Sequence, residues 1–221
     1  MAQANLLWCA GIFRVWVLVS GIELDWSLGD GLSLNDRPVL VVANHVSEYD
    51  IPVLAEVLRR LGVRGPRWVG NAEILRYPFL RAVLRDTAIP VERRRDSVDL
   101  QTVEKEAAIA SAEGQSVVIF PEGATYREEC FSPGWNGVLR PRRGGVTALA
   151  RGLPDHSLLT VVISYGERVR TGVLPLGDYL DRRIRVKVRF RPGMPDDPAE
   201  WLEEEWRHLE RLLTEMTGRR D

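Results

Sequence analysis

Lysine is almost missing from this chain: of its 30 basic residues, only Lys105 and Lys187 are not arginine. The formal net charge of −1 lacks the positive excess of a nucleic-acid binder, so no nucleic-acid partner is expected. Cysteine is as scarce. Cys9 and Cys130 are too few for a disulfide framework, lack metal-ligand spacing and have no neighbouring histidine, which points to free thiols in a reducing compartment. Of the three histidines, His156 and His208 lie in polar stretches far from either cysteine and read as surface residues, so no metal site is expected. The absence of a Gly-x-Ser-x-Gly elbow excludes a serine hydrolase of that type. There is no repeat, low-complexity tract or clear domain boundary, and 221 residues with 45% hydrophobic side chains suit one domain with a real core.

Long hydrophobic runs are also few. The longest, residues 6–22, reads LLWCAGIFRVWVLVSGI, and Arg14 interrupts it. A spanning helix wants about 20 apolar residues without a central charge, and a secretory signal wants a basic start and a small-residue cleavage site. Neither fits. A helix lying in the membrane interface fits better, with Trp8 and Trp16 two turns apart and Arg14 able to reach headgroups. A helix packed on the domain is the plainer alternative. The expected division is residues 1–22 as an amphipathic, membrane-contacting helix and residues 23–221 as the main domain.

Short β-branched runs alternate with longer helical patterns along the rest of the chain. Strands are predicted at Ile22–Leu28, Val39–Ala43, Trp68–Val69, Ala88–Val91, Val117–Phe120, Leu158–Ser164 and Ile184–Phe190. Helices are predicted at Ile51–Arg60, Glu73–Leu84, Ser97–Ala112, Gly144–Arg151 and Pro198–Thr217. Strands alternating with helices imply crossover units, hence a single α/β domain with a mixed, mainly parallel sheet flanked by helices. The last strand, IRVKVRF, alternates apolar and basic residues and should be an edge with one wet face. Trp201, Leu202, Trp206, Leu209, Leu213 and Met216 form the core-facing stripe of the last helix.

The chemistry concentrates at strand ends. Val39–Ala43 runs into Asn44-His45, which puts His45 at the carboxyl end of a buried strand, where open α/β sheets hold their ligands. Asp50 follows on the first turn of the next helix, where its carboxylate can meet one imidazole nitrogen while the other faces a substrate. This is an orienter and a general base without a protein nucleophile. Ser47-x-x-Asp50 is equally a helix capping box, which needs no catalysis. A second buried strand ends in Phe120-Pro121-Glu122-Gly123, placing a charge and a permissive glycine at the same edge. A third ends in Glu92-Arg93-Arg94-Arg95. If the three strands are parallel, His45, Arg93 and Glu122 share one crevice. Arg140, Arg142, Arg143 and Gly144 then lead into a helix, where guanidinium and first-turn amides would form an anion site.

These residues resemble the glycerolipid acyltransferase family, whose type members are the 1-acylglycerol-3-phosphate acyltransferases. The family's first block, Asn-His-x-Ser-x-x-Asp-x-Pro, is matched by Asn44, His45, Ser47, Asp50 and Pro52. Ile89-Pro90-Val91-Glu92-Arg93 is similar to the second block, and the resemblance gives Arg93 a phosphate contact. The third block, Phe-Pro-Glu-Gly-Thr-Arg, is matched at Phe120, Pro121, Glu122 and Gly123, and a later basic-x-Gly segment resembles Arg142-Arg143-Gly144. The likeness covers about Val39 to Ser164. Where the family has Thr-Arg, this chain has Ala124-Thr125, with the nearest arginine at Arg127.

The resemblance implies transfer of a fatty acyl group from acyl-CoA or acyl carrier protein to the hydroxyl of a lysophospholipid, foremost 1-acylglycerol-3-phosphate, giving phosphatidic acid. His45 would be general base and Asp50 its orienter. Asn44, Ser47, Arg93, Glu122, Gly123, Arg142, Arg143 and Gly144 would bind substrate, amides near Gly123 would steady developing charge, and no cofactor would be needed. It further implies a peripheral or monotopic protein at the cytoplasmic face of a membrane. Ala124-Thr125 leaves open a different acceptor, either phosphate-free or an amino lipid. From other classes, an idle lipid-binding scaffold and a thioester hydrolase that uses water remain.

Overall fold

A computed structural model of the chain describes residues 2–27, 29, 31–35, 37–47, 49–73, 87–92, 97–124, 135, 137–166 and 183–217. Its described elements run α1 (Ala2–Ser20), β1 (Glu23–Ser27), β2 (Val39–Ala43), α2 (Asp50–Arg60), β3 (Arg67–Asn71), β4 (Ala88–Val91), α3 (Ser97–Ala112), β5 (Val117–Ile119), α4 (Arg143–Gly152), β6 (Ser157–Ser164), β7 (Arg183–Arg191) and α5 (Pro198–Thr217). The helix expected at Glu73–Leu84 lies outside the described residues, apart from a short turn that includes Glu73.

The strands form one sheet in the order β1-β7-β6-β2-β5-β3-β4, parallel at every pairing except β6 with β7. β2 sits at its centre with all five residues buried. Strand alternation sends Val39, Val41 and Ala43 into one layer with α1 and α2, and Leu40 and Val42 into the other with α3, α4 and α5. Removing such a Val or Leu side chain from water is worth about 1.5–3 kcal/mol, so two-sided burial explains why this run carries no polar residue. The α5 stripe is buried, with Trp206 wholly inside. α4 crosses α3 at Gly152, where an added Cβ would sit 2.6 Å from both the Ala107 Cβ and the Glu104 carbonyl oxygen.

Two expectations change. β7 is not an edge strand: β1 pairs with it in parallel along Arg183–Lys187, and β1 is the edge. Alternation in IRVKVRF marks a wet face, and that face carries ion pairs from Arg183 to Glu23 and from Arg189 to Glu205. His156 is not a surface residue; it is 1% exposed, with Nε2 on the Gln115 carbonyl at 2.9 Å. Arg14 pairs with Glu56 on α2 while its side chain stays more than half exposed.

Helix α1 has two apolar faces. Leu6, Ala10, Phe13 and Trp16 are built into the core shared with α2, and Trp16 stacks on Tyr49 at 4.5 Å. Leu7, Trp8, Ile12, Val15, Leu18 and Val19 remain exposed, Leu18 by 85%. By length and composition, Gln3–Ser20 could cross a membrane. Its buried face packs this helix against α2.

Candidate active site

β2, β3, β4 and β5 are mutually parallel, so their carboxyl ends open on one edge of the sheet. His45 follows β2 there, and the Pro121-Glu122-Gly123 turn follows β5. Glu92 leaves β4 at the same edge, whereas Arg93 lies outside the described residues.

The His45 imidazole stacks on Phe120, with ring centres 4.3 Å apart and planes inclined by 22°. Its Nδ1 meets Asp50 Oδ2 at 3.0 Å. Asp50 is completely buried and surrounded by donors. The backbone amides of Val46 and Ser47 donate to Oδ2 at 2.6 and 2.8 Å, and the Tyr165 hydroxyl donates to Oδ1 at 2.7 Å. A carboxylate at Nδ1 sets the ring so that Nε2 is the nitrogen able to take a substrate proton. The capping reading is half right as well: Asp50 reaches back to the Ser47 amide, but the Ser47 hydroxyl accepts from Tyr49 N at 3.2 Å, one residue short of the reciprocal bond. One carboxylate shapes the loop and aims the histidine.

Several residues expected to touch substrate stand behind the site instead. Asn44 is fully buried, and its amide closes a two-way clip on Ile163 of β6, donating to the carbonyl at 2.9 Å and accepting from the amide at 2.8 Å. Ser47 is 1% exposed in the turn before α2. Glu122 is 2% exposed, and its Oε2 accepts from Leu139 N at 3.3 Å. Burial pushes the Glu122 carboxyl well above its ordinary range, against backbone hydrogen bonds from Leu139 and His45, and the nearby Asp50 charge adds to the rise. The Trp206 indole lies by the same carboxyl without full hydrogen-bond geometry. Glu122 thus holds the backbone at Leu139 and lies beside that of His45.

Gly123 has φ +69° and donates its amide to Phe120 O at 3.0 Å, so that amide closes the turn and is not an oxyanion donor. The missing side chain admits Arg142: a Cβ at Gly123 would lie 3.1 Å from the guanidinium carbon. The Arg142 amide donates to Pro121 O at 2.9 Å, tying the start of α4 to the same turn. Arg143 points elsewhere, pairing with Glu203 on α5 at 2.5 and 3.1 Å.

This edge of the sheet borders a cavity of about 870 Å³, within the usual span for small-molecule sites. His45, Phe120, Gly123, Arg142, Gly144 and Gly145 lie along it, with Trp68, Val69, Val91, Leu100, Val103 and Ile119 supplying apolar wall. Asn5, Leu6 and Cys9 of α1 also line it. Among the described residues, no cluster of His, Cys, Asp or Glu could hold a metal. Tyr165 and α1 are the contributors that sequence reasoning missed. Tyr165 lies 115 residues from Asp50, and only the position one residue past β6 hinted at the site edge.

A histidine paired with a buried carboxylate thus stands beside a largely apolar cavity with an arginine at its border. A family model described as Acyltransferase matches residues 30–164, and the chain belongs to the acyltransferase family. Among solved structures it is similar to the crystal structure of the 1-acyl-sn-glycerophosphate (LPA) acyltransferase, PlsC, from Thermotoga maritima. The TM-score is 0.66 and the identity 18%, over 98% of this chain and 81% of that one, a likeness of fold. No curated protein matches.

Proposed function

We propose that this acyltransferase moves a fatty acyl group from acyl-CoA or acyl carrier protein to the hydroxyl of a lysophospholipid, with 1-acylglycerol-3-phosphate as the leading acceptor. The observation that carries the reading is the His45–Asp50 pair at the border of an apolar cavity, with the Arg142 guanidinium beside it. His45 Nε2 removes the hydroxyl proton as the oxygen attacks the thioester carbonyl. Asp50 stabilises the imidazolium, the carbon–sulfur bond breaks, and the proton passes to the departing thiolate. The cycle uses no cofactor. General-base assistance of this kind is typically worth 10²–10⁴-fold, and the cavity supplies alignment. Arg142 and the first-turn amides of α4 are the groups suited to a phosphate, on the acceptor or on CoA.

The exposed stripe of α1 supports a peripheral or monotopic position on a membrane, and we place the protein at the cytoplasmic face, where acyl thioesters are available. A helix with one face in the protein core cannot be ringed by lipid, which favours lying in the interface over spanning it. Ala124-Thr125 favours a second reading, in which the acceptor has no phosphate or is an amino lipid.

Thiol release from palmitoyl-CoA by wild type and His45→Ala, with and without lysophosphatidic acid in detergent, tests the reading. Release requiring both His45 and the lysolipid, with phosphatidic acid formed, supports it. Release equal with phosphate-free acceptors shifts it to the second reading. Free acid formed without any acceptor means a hydrolase, and acyl-chain binding without turnover that His45→Ala leaves unchanged means a scaffold.

A further inference from the structure

Glu56 of α2 is 1% exposed, yet three guanidinium groups converge on it. Arg14 reaches it from α1 at 3.2 and 3.3 Å, Arg59 at 2.8 and 2.9 Å, and Arg60 at 2.8 Å. Burial alone would raise the Glu56 carboxyl, but the hydrogen bonds from Arg59, Arg60 and Arg14 outweigh it and hold the pKa at about 2. The carboxylate is therefore ionised at any ordinary pH and balances one cation, leaving an excess of two positive charges on the α1–α2 seam. The arginine side chains stay between 31% and 56% exposed. A guanidinium has five N–H donors, and Arg60 uses only its Nε on Glu56, so donors remain on the solvent side. Arg60 also lies over the Trp26 ring, 4.8 Å from its centre.

Position gives this cluster its meaning. At 3.6 residues per turn, Arg14 lies beside Leu18, one turn on, and Leu7, two turns back, along one flank of the exposed apolar stripe. The cavity residues Asn5 and Cys9 lie along the opposite flank. Paired charges that face only water would need no apolar neighbour. An apolar stripe bordered by surplus arginine is the pattern of a surface that meets lipid chains and anionic headgroups together.

Resting on the membrane reading above, we propose that Arg14, Arg59 and Arg60 form an anionic-headgroup rim beside the α1 stripe, and that the partner surface is a bilayer carrying acidic phospholipid. Two acidic lipids, each carrying one net negative charge that a zwitterionic lipid lacks, supply the two missing counter-charges. An acidic protein such as an acyl carrier protein could meet the same charges, but an apolar stripe alongside favours the bilayer.

Sedimentation of the full chain with vesicles of phosphatidylcholine alone, and with one-third phosphatidylglycerol, tests this. Each surface charge near an acidic bilayer is worth about fivefold in partitioning. Wild type should therefore bind the acidic vesicles about 25-fold more tightly, with the gain lost in high salt. Arg14→Gln with Arg60→Gln should fall to the phosphatidylcholine level. Arg60→Lys, which keeps the charge, should stay near wild type, as should Arg151→Gln on the opposite face of the sheet. Leu18→Asp should weaken binding to both vesicles. Equal wild-type binding to both vesicles overturns the rim while leaving the membrane reading intact, and binding to neither overturns both. A double variant that keeps its acidic-vesicle gain overturns the rim, as does one that changes only the KM for an acyl carrier protein donor.

Discussion

Changing Asp50 to Asn should separate two roles that a carboxylate behind a histidine usually combines. The side chain is fully buried, and three donors converge on Oδ2: Val46 N, Ser47 N and His45 Nδ1. Both backbone amides are fixed donors, so an asparagine must turn its oxygen toward them and its NH₂ toward Tyr165, whose hydroxyl can rotate to accept. The imidazole then keeps its Nδ1–H partner and its tautomer. What is lost is the negative charge facing the imidazolium. At a charge separation of roughly 4 Å and an effective dielectric constant near 20, that attraction is about 4 kcal/mol, or about 10³-fold in rate. Each hydrogen bond to Asp50 also falls from charge-assisted to neutral strength, about 1 kcal/mol apiece, partly offset by no longer burying a charge. Palmitoyl-CoA thiol release and urea unfolding would measure the two effects. The expected result is a kcat about 10³-fold lower, an unfolding free energy about 2–3 kcal/mol lower, and a Tyr165→Phe change that costs less in the Asp50→Asn background than in wild type. A loss under tenfold would refute the electrostatic role. Additive effects of Asp50→Asn and Tyr165→Phe would refute the proposed network.

Three further outcomes follow from burial. Glu122 has a raised carboxyl pKa in the fold, so it favours folding below about 4.5 and costs stability as pH rises through the range between its unfolded and folded values. Glu122→Gln should therefore gain melting temperature over wild type as pH rises from about 4.5 toward neutrality, and a constant gap would contradict this. His156 has its pKa lowered, chiefly by burial, so its contribution is intact above about 6.5 and declines below that as the unfolded chain takes up the proton. His156→Gln, which can still donate to the Gln115 carbonyl, should lose less melting temperature than wild type between about pH 7 and about pH 5. Gly152→Ala should destabilise by about 1–3 kcal/mol, because the new methyl meets α3 backbone at 2.6 Å, and an unchanged melting temperature would show that the helices can part freely.

The sheet was legible because its strands are short β-branched runs, and because chemistry-bearing residues sit where those runs stop. Val39–Ala43 followed by Asn44-His45 shows both signals within seven residues. The first motif also displays its own local geometry, since His45, Ser47 and Asp50 fall within a short loop running into α2. What stayed hidden depends on partners distant in sequence. Nothing near Asn44 announces Ile163, and nothing near Asp50 announces Tyr165. Arg142 and Arg143 look alike in sequence, but the start of α4 aims one at Gly123 and the other at Glu203. Alternation in β7 discloses a wet face without saying what lies beside the strand, and β1 lies there. His156 sits among Pro154, Asp155 and Ser157, polar neighbours that suggest solvent although its ring is enclosed.

The Asn44 clip also bears on when the protein becomes an enzyme during synthesis. The whole His45–Asp50 motif leaves the ribosome within the first quarter of the chain, but its geometry is closed by Ile163 and Tyr165. A nascent chain, or one cut before β6, would contain every letter of the motif while lacking its clip and its Tyr165 bond. Competence would therefore switch on late, when β6 slots in beside β2, by which time the cavity-lining residues from Asn5 to Gly145 have already been made.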